Sequence, residues 1–114
     1  MKYELRITRA AENDLSEAAD YLEFSLMNPQ AADDLLDAAE ATLRSLSEHP
    51  QRHAPAADPV LKAWGVRLIP VGNYLAFYVI SEDEHRVYVI RFLYGKRNWR
   101  SILRGGFSMD AEQK

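Results

Sequence analysis

The chain has 114 residues, 17 Asp and Glu against 14 Lys and Arg, and no cysteine. That length suits one domain, and 47% hydrophobic with 27% charged residues excludes a disordered chain. The missing cysteine excludes a disulfide scaffold, a thiol nucleophile and thiolate metal sites, and points to a reducing cytoplasm.

No apolar run approaches the roughly 20 residues that span a bilayer. Residues 1–9 alternate charged and apolar side chains, unlike a secretory signal. No membrane partner is expected.

Tyr3, Leu5 and Ile7 alternate with Lys2, Glu4 and Arg6, the period of a short strand with one buried face. Thr8 then caps a helix whose stripe runs Ala11, Leu15, Ala18, Leu22 and Leu26. Asn28-Pro29 is a second start, an N-cap followed by proline at the first helical position. Ala32, Leu35, Leu36, Ala39, Leu43 and Leu46 keep the helical period until His49-Pro50. Two such helices on a short link form an antiparallel hairpin, with acids outward and leucines toward a sheet.

Residues 51–63 hold Pro55 and Pro59 without a period and read as a connecting loop. Strands are expected at 66–69, at 74–80 and at 86–94, joined by the turns 70–73 and 81–85. The 74–80 strand is apolar throughout, as in a central strand covered on both faces. In the last strand, strict alternation puts Val87, Val89, Arg91 and Leu93 on one face and Tyr88, Ile90, Phe92 and Tyr94 on the other. Gly95 ends it, and Trp99, Ile102 and Leu103 fit a short terminal helix closed by Gly105-Gly106. The fold class is therefore α+β: β-α-α-β-β-β, a helical hairpin packed on a small antiparallel sheet, with a short C-terminal helix. Residues 1–106 make the single domain, and 107–114 are expected to be a flexible tail.

Charge is divided along the chain. Residues 1–60 carry five Lys and Arg against twelve acids, and residues 61–114 carry nine against five. The stretch 91–104 holds Arg91, Lys96, Arg97, Arg100 and Arg104 and no acid. One end of the molecule is thereby suited to an anionic partner.

Enzyme signatures are scarce. There is no phosphate-binding Gly-rich loop, nucleophile elbow or HExxH motif. His49, His53 and His85 are scattered without metal-ligand spacing, so no metal or cofactor is expected. Metal-free RNA cleavage needs a base for the 2′-hydroxyl, an acid for the leaving oxygen and cations for the phosphate. Arg67, Arg91, Arg97 and Tyr94 are the candidates for such work, and no base accompanies them. Tyr78 reads as core, Tyr88 as packing, and His85 as an exposed turn residue. Arg91 interrupts an apolar face, a position that is costly unless the charge is paired or lines an opening. Lys96, Arg97, Trp99, Arg100 and Arg104 are the candidates for contact with a partner or target.

Together these motifs resemble the RelE/ParE superfamily, the toxins of type II toxin–antitoxin modules. The carrying residues are Ala11, Asp14-Leu15 and Tyr21 in the first helix. Ala31-Ala32, Leu43, Leu46 and His49-Pro50 follow in the second. Val66-Arg67-Leu68, the run from Val71-Gly72-Asn73-Tyr74 to Tyr78, Val87 to Arg91, and Tyr94-Gly95-Lys96-Arg97 complete the order. The resemblance covers about residues 3–104. It implies a small antitoxin as partner, and as target either DNA gyrase or ribosome-bound mRNA.

In the nuclease branch a basic residue commonly follows the aromatic of the third strand, where this chain has Leu75. A lysine pair often lies on the second strand, where only Arg67 is basic. A His-Tyr pair closes the last strand in one subgroup, where this chain has Leu93-Tyr94. Arg97 does match the Gly-Lys-Arg exit. The nucleases are also usually basic, whereas the sequence pI here is about 5.6. The expectation is a growth-inhibiting toxin, favoured as a non-enzymatic ParE-like inhibitor of gyrase. The alternatives are a metal-independent, ribosome-dependent mRNA endoribonuclease and a degenerate member that only binds its antitoxin.

Overall fold

A computed structural model describes residues 2–111. Strand β1 (Glu4–Ile7) runs directly into helix α1 (Arg9–Asp20) through Thr8. The fully buried Thr8 hydroxyl accepts the Ala11 N–H and donates to the Val89 carbonyl at 2.8 Å. One side chain thus caps the helix and ties it to the last strand. The helix widens into a π-turn over Tyr21–Ser25, and Met27 takes a left-handed conformation with φ of 53°. Asn28 caps α2 (Pro29–Ser45) by accepting the Ala31 N–H at 3.0 Å, as the Asn-Pro signal requires.

The expected loop at 51–63 contains structure. Pro50–Arg52 is a 3₁₀ turn, and Pro59–Ala63 is a short helix, α3, capped by the buried Asp58. Strands β2 (Arg67–Val71), β3 (Tyr74–Ser81) and β4 (Arg86–Tyr94) follow, then helix α4 (Trp99–Arg104).

The sheet order is β1-β4-β3-β2. β2, β3 and β4 are antiparallel, as expected of strands joined by tight turns. β1 differs, pairing parallel to β4 from Glu4 beside Arg86 to Ile7 beside Val89. The α1–α2 hairpin returns the chain to the same side of the sheet, and this makes the four-stranded sheet mixed.

Each face of the sheet has its own core. Ala11, Leu35, Ala39, Leu43 and Leu46 pack on Ile69, Val71, Ala76, Tyr78, Val87, Val89 and Phe92. On the opposite face Ala56, Leu61, Trp99 and Leu103 cover Val66, Phe77, Ile90 and Leu93. The fully apolar β3 is explained by this double cover.

Strict alternation along β4 does not hold. Phe77 faces Arg91 while its neighbour Tyr78 faces Val89, so Ile90 is an extra residue in a β-bulge. The bulge shifts the phase. Val87, Val89 and Phe92 point to the helical hairpin, and Ile90 and Leu93 point away from it.

The tail expected at 107–114 is docked over its described part. Phe107 meets Trp64 edge-on at 6.1 Å between ring centres. The Arg9 N–H donates to the Asp110 carbonyl at 2.8 Å, and Ala111 bridges Thr8. Backbone groups at the start of α1 hold this segment. Residues 112–114 of that expectation lie outside the described residues.

Candidate functional site

The end of β4 turns sharply. The Gly95 N–H donates to the Asn73 carbonyl at 2.8 Å, and a Cβ on Gly95 would sit 3.1 Å from that oxygen, so glycine permits the close approach. The Arg97 N–H then donates to the Tyr94 carbonyl at 3.0 Å, and the Trp99 N–H to the Arg97 carbonyl at 2.8 Å. These bonds bring Arg97 back beside Tyr94 at the tip of the helical hairpin.

A cleft of about 530 Å³ opens there, lined by Tyr21, Leu22, Leu26, Asn73, Tyr74, Tyr94 and Arg97. Tyr74 packs edge-on against Tyr94 at 5.6 Å and stacks on Phe92 at 5.2 Å. Burial holds the Tyr74 phenol above its usual range, with the neighbouring Tyr94 and Tyr21 adding to the effect. Beside this space lies a smaller depression that shares Tyr21, Tyr74, Tyr94 and Arg97 and extends to Asp14 and Glu17 on α1.

Arg91 does not open into the cleft as a free cation. Its Nε and Nη2 donate to the two oxygens of Asp14 at 2.6 and 3.0 Å. The same carboxylate accepts the Phe92 N–H at 3.0 Å, two residues past the bulged Ile90. The Asp14 hydrogen bonds raise the Arg91 pKa.

Arg67 lies elsewhere. Its row of the sheet, with Tyr78, is four residues along β3 from the row of Tyr94 with Tyr74, roughly 13 Å. Its Nη1 donates to the carbonyls of Gln51 and His53, so it anchors the 3₁₀ turn. The Tyr78 hydroxyl donates to the Pro50 carbonyl at 2.6 Å, and burial pushes that phenol up to about 12. Of Arg67, Arg91, Arg97 and Tyr94, the fold therefore brings together Tyr94 and Arg97.

The partner candidates divide similarly. Trp99 is buried and tilts on Phe77 at 5.2 Å. Arg100 lies 4.3 Å over the Trp99 ring centre, a cation–π contact. Arg104 pairs with the buried Asp58 at 2.8 Å. Among the described residues, no acid lies within ion-pair distance of Lys96, Arg97 or Arg100.

Glu82 and His85 occupy the β3–β4 turn, at the opposite end of β4 from Tyr94. There Tyr3 stacks on His85 at 3.9 Å and donates to Glu82 at 2.8 Å. No cluster of acids and histidines able to hold a metal occurs among the described residues.

Tyr21, Asn73, Tyr74 and Glu17 were not among the expected site residues. Tyr21 was legible as an aromatic off the apolar stripe of its helix. The other three required the cleft to be seen. Chemically the cleft offers one guanidinium, three phenols and aromatic walls. Its one carboxylate without a cation is the exposed Glu17.

Comparison with known proteins bears on this arrangement. The family described as ParE toxin of type II toxin-antitoxin system, parDE, matches residues 5–99. No curated relative matches. Among solved structures, the chain is similar to the chromosomal ParDE TA system from P. aeruginosa. It has 20% identity and a TM-score of 0.66, over 82% of this chain and 96% of that one. It is also similar to the toxin-antitoxin complex RelBE2 from Mycobacterium tuberculosis. There the identity is 21% and the TM-score 0.55, over 82% and 99% of the two chains. At such identities the structural likeness establishes the shared fold.

Proposed function

The chain belongs to the ParE toxin family of type II toxin–antitoxin systems, and from that premise we propose that it is a non-enzymatic inhibitor of DNA gyrase held in check by a small cytoplasmic antitoxin. The observation that carries this reading is the occupation of the arginines a phosphodiester-cleaving site would need. Asp14 neutralises Arg91, and Arg67 serves two backbone carbonyls well away from Tyr94. A scissile phosphate would find Arg97 alone beside Tyr94.

An antitoxin has an apolar seat. Two adjoining depressions of about 350 and 290 Å³ run between α1, α2 and β1 and share Ile7, Leu15, Leu36 and Leu43. A helix with one apolar face suits that groove. The half-exposed Leu36 supports it, because a leucine of the expected core stripe is left uncovered on the hairpin.

The second reading, a ribosome-dependent mRNA endonuclease, is favoured by one observation: Glu17 lines the same depression as Tyr94 and Arg97. It would be the proton acceptor. Purified protein assayed in parallel with gyrase and with translating ribosomes separates the two. The proposal expects lost supercoiling and intact mRNA. Cleaved mRNA, with cleavage abolished by Glu17→Gln and Tyr94→Phe, refutes it in favour of the nuclease.

A further inference from the structure

The outer edge of β2 is covered by the segment that follows the 3₁₀ turn. The Ala56 N–H donates to the Val66 carbonyl at 2.9 Å, the Leu68 N–H donates to the Ala54 carbonyl at 3.4 Å, and Pro55 bridges Arg67. An edge strand left bare invites pairing with another chain, so this cover has a purpose.

The cover is held from upstream, by residues 50–53. The Tyr78 hydroxyl donates to the Pro50 carbonyl, and Arg67 donates to the carbonyls of Gln51 and His53. The Gln51 amide donates to the Tyr3 hydroxyl at 2.6 Å and to Glu82 at 3.0 Å. β1, β2, β3 and the β3–β4 turn therefore all grip one short stretch of chain.

His53 ends that stretch, and its ring is badly placed to carry a charge. Its Nε2 is buried and has no hydrogen-bond partner. The groups facing it are Arg52 on its own turn, Arg67 from β2, and the Tyr78 ring of β3, edge-on at 6.4 Å between ring centres. Among the described residues, no acid lies within ion-pair distance of it. A neutral imidazole can leave one nitrogen unprotonated, whereas an imidazolium must donate from both. Protonation would strand a buried donor and set a third cation beside two guanidiniums. Burial and the two arginines accordingly hold the His53 pKa below its usual range.

We propose that His53 is a proton-operated latch on the β2 edge. Neutral, it lets residues 50–53 grip the sheet and keep 54–56 on that edge; protonated, it releases them and bares the edge. The closed turn favours the neutral ring, and the opened turn, with the ring in water, favours the imidazolium. Opening therefore becomes more frequent as pH falls below the ordinary histidine value of 6.5, and it is insensitive to this group well above that value. The latch stands at the Arg67 row of the sheet, away from the row of Tyr74 and Tyr94, and is separate from the tyrosine cleft.

The test uses the full chain with isotope-labelled histidine rings and backbone. Ring signals follow the His53 titration, and amide exchange, corrected for intrinsic rates, follows the protection of Ala56 and Leu68 at pH 7.5 and pH 5.0. The His53 midpoint is expected below 6.5. The opening that exchanges Ala56 and Leu68 should rise at least about threefold between the two pH values, with β4 unchanged. Arg52→Gln removes one facing cation and should raise the midpoint. His53→Phe keeps an aromatic edge on Tyr78 and takes no proton, so the rise should vanish. The latch is overturned by a His53 midpoint at or above 6.5, by no rise at Ala56 and Leu68, or by an equal rise in β4. It is also overturned by an unmoved midpoint in Arg52→Gln or a rise that survives His53→Phe. Should His53→Phe not fold, the unaltered chain and Arg52→Gln decide.

Discussion

Asp14 on α1 and Arg91 in β4 are joined at two points, and the pair sits on the β-bulge that sets the phase of the last strand. The Phe92 N–H, two residues past the bulged Ile90, donates to Asp14. A carboxylate in this position satisfies a cation and a backbone amide together.

Removing it should therefore cost more than a surface ion pair. Asp14→Ala is expected to lower stability by about 2–3 kcal/mol, because Arg91 and the Phe92 amide both lose their partner in a half-buried place. Asp14→Asn should cost less, since its carbonyl still accepts the amide. Urea unfolding of the two variants checks the order. Equal, small losses would mean that the pair does not hold the bulge.

Leu36 and Leu43 both line the groove on the hairpin but differ in burial. Leu43 is buried against the sheet, and Leu43→Ala should cost about 2–5 kcal/mol. Leu36 is 40% exposed, and Leu36→Ala should cost less than about 1 kcal/mol while weakening antitoxin binding. Thermal unfolding and titration with the antitoxin measure the two effects. A large stability loss from Leu36→Ala would make it core and remove it from the groove.

Tyr78 predicts an alkaline limit to stability. Its phenol titrates at about 12 in the folded state, against 10.0 as the ordinary value. The unfolded chain thus ionises first, and the stabilisation present below pH 10 is lost as pH rises through 12. The loss is on the order of 2 kcal/mol. Tyr78→Phe should flatten this dependence. At neutral pH it should cost about 1 kcal/mol, because the Pro50 carbonyl loses its donor. Chemical denaturation at pH 8 and pH 11 decides it.

Arg67 is expected to be an anchor for the turn at 50–53 and for nothing else. Arg67→Met should raise amide exchange around that turn and lower stability by about 1–2 kcal/mol. The inhibitory effect on the target should be kept. Loss of inhibition in a variant that remains folded would return Arg67 to the functional surface.

The helical period of Ala11 to Leu22 and of Ala32 to Leu46 was legible because one face of each helix meets one surface. The pairing of β1 was not, since a period of two says which face is buried but not which strand lies alongside. The bulge at Ile90 left no mark either, because apolar residues serve both faces of a doubly covered strand. Helix α3 could have been read. Asp58-Pro59 carries the same cap-and-proline signal as Asn28-Pro29, and the nearby Pro55 hid it. Arg97 was found as a basic residue after a turn, whereas Tyr74 looked like core and Tyr21 like helix surface. A cleft made by three separated segments has no local signature.

The parallel seam between β1 and β4 also sets the timetable of synthesis. Glu4 must wait for Arg86, and Ile7 for Val89, so the oldest strand of the nascent chain finds its neighbour only when the last strand arrives. The hairpin can coil early, but Leu35, Leu43 and Leu46 cover a sheet surface that is complete only then. A newly made chain therefore passes through a stage with a partly covered helical face and an incomplete tyrosine cleft, since Tyr94 and Arg97 follow β4. That stage exposes the chain to aggregation and proteolysis.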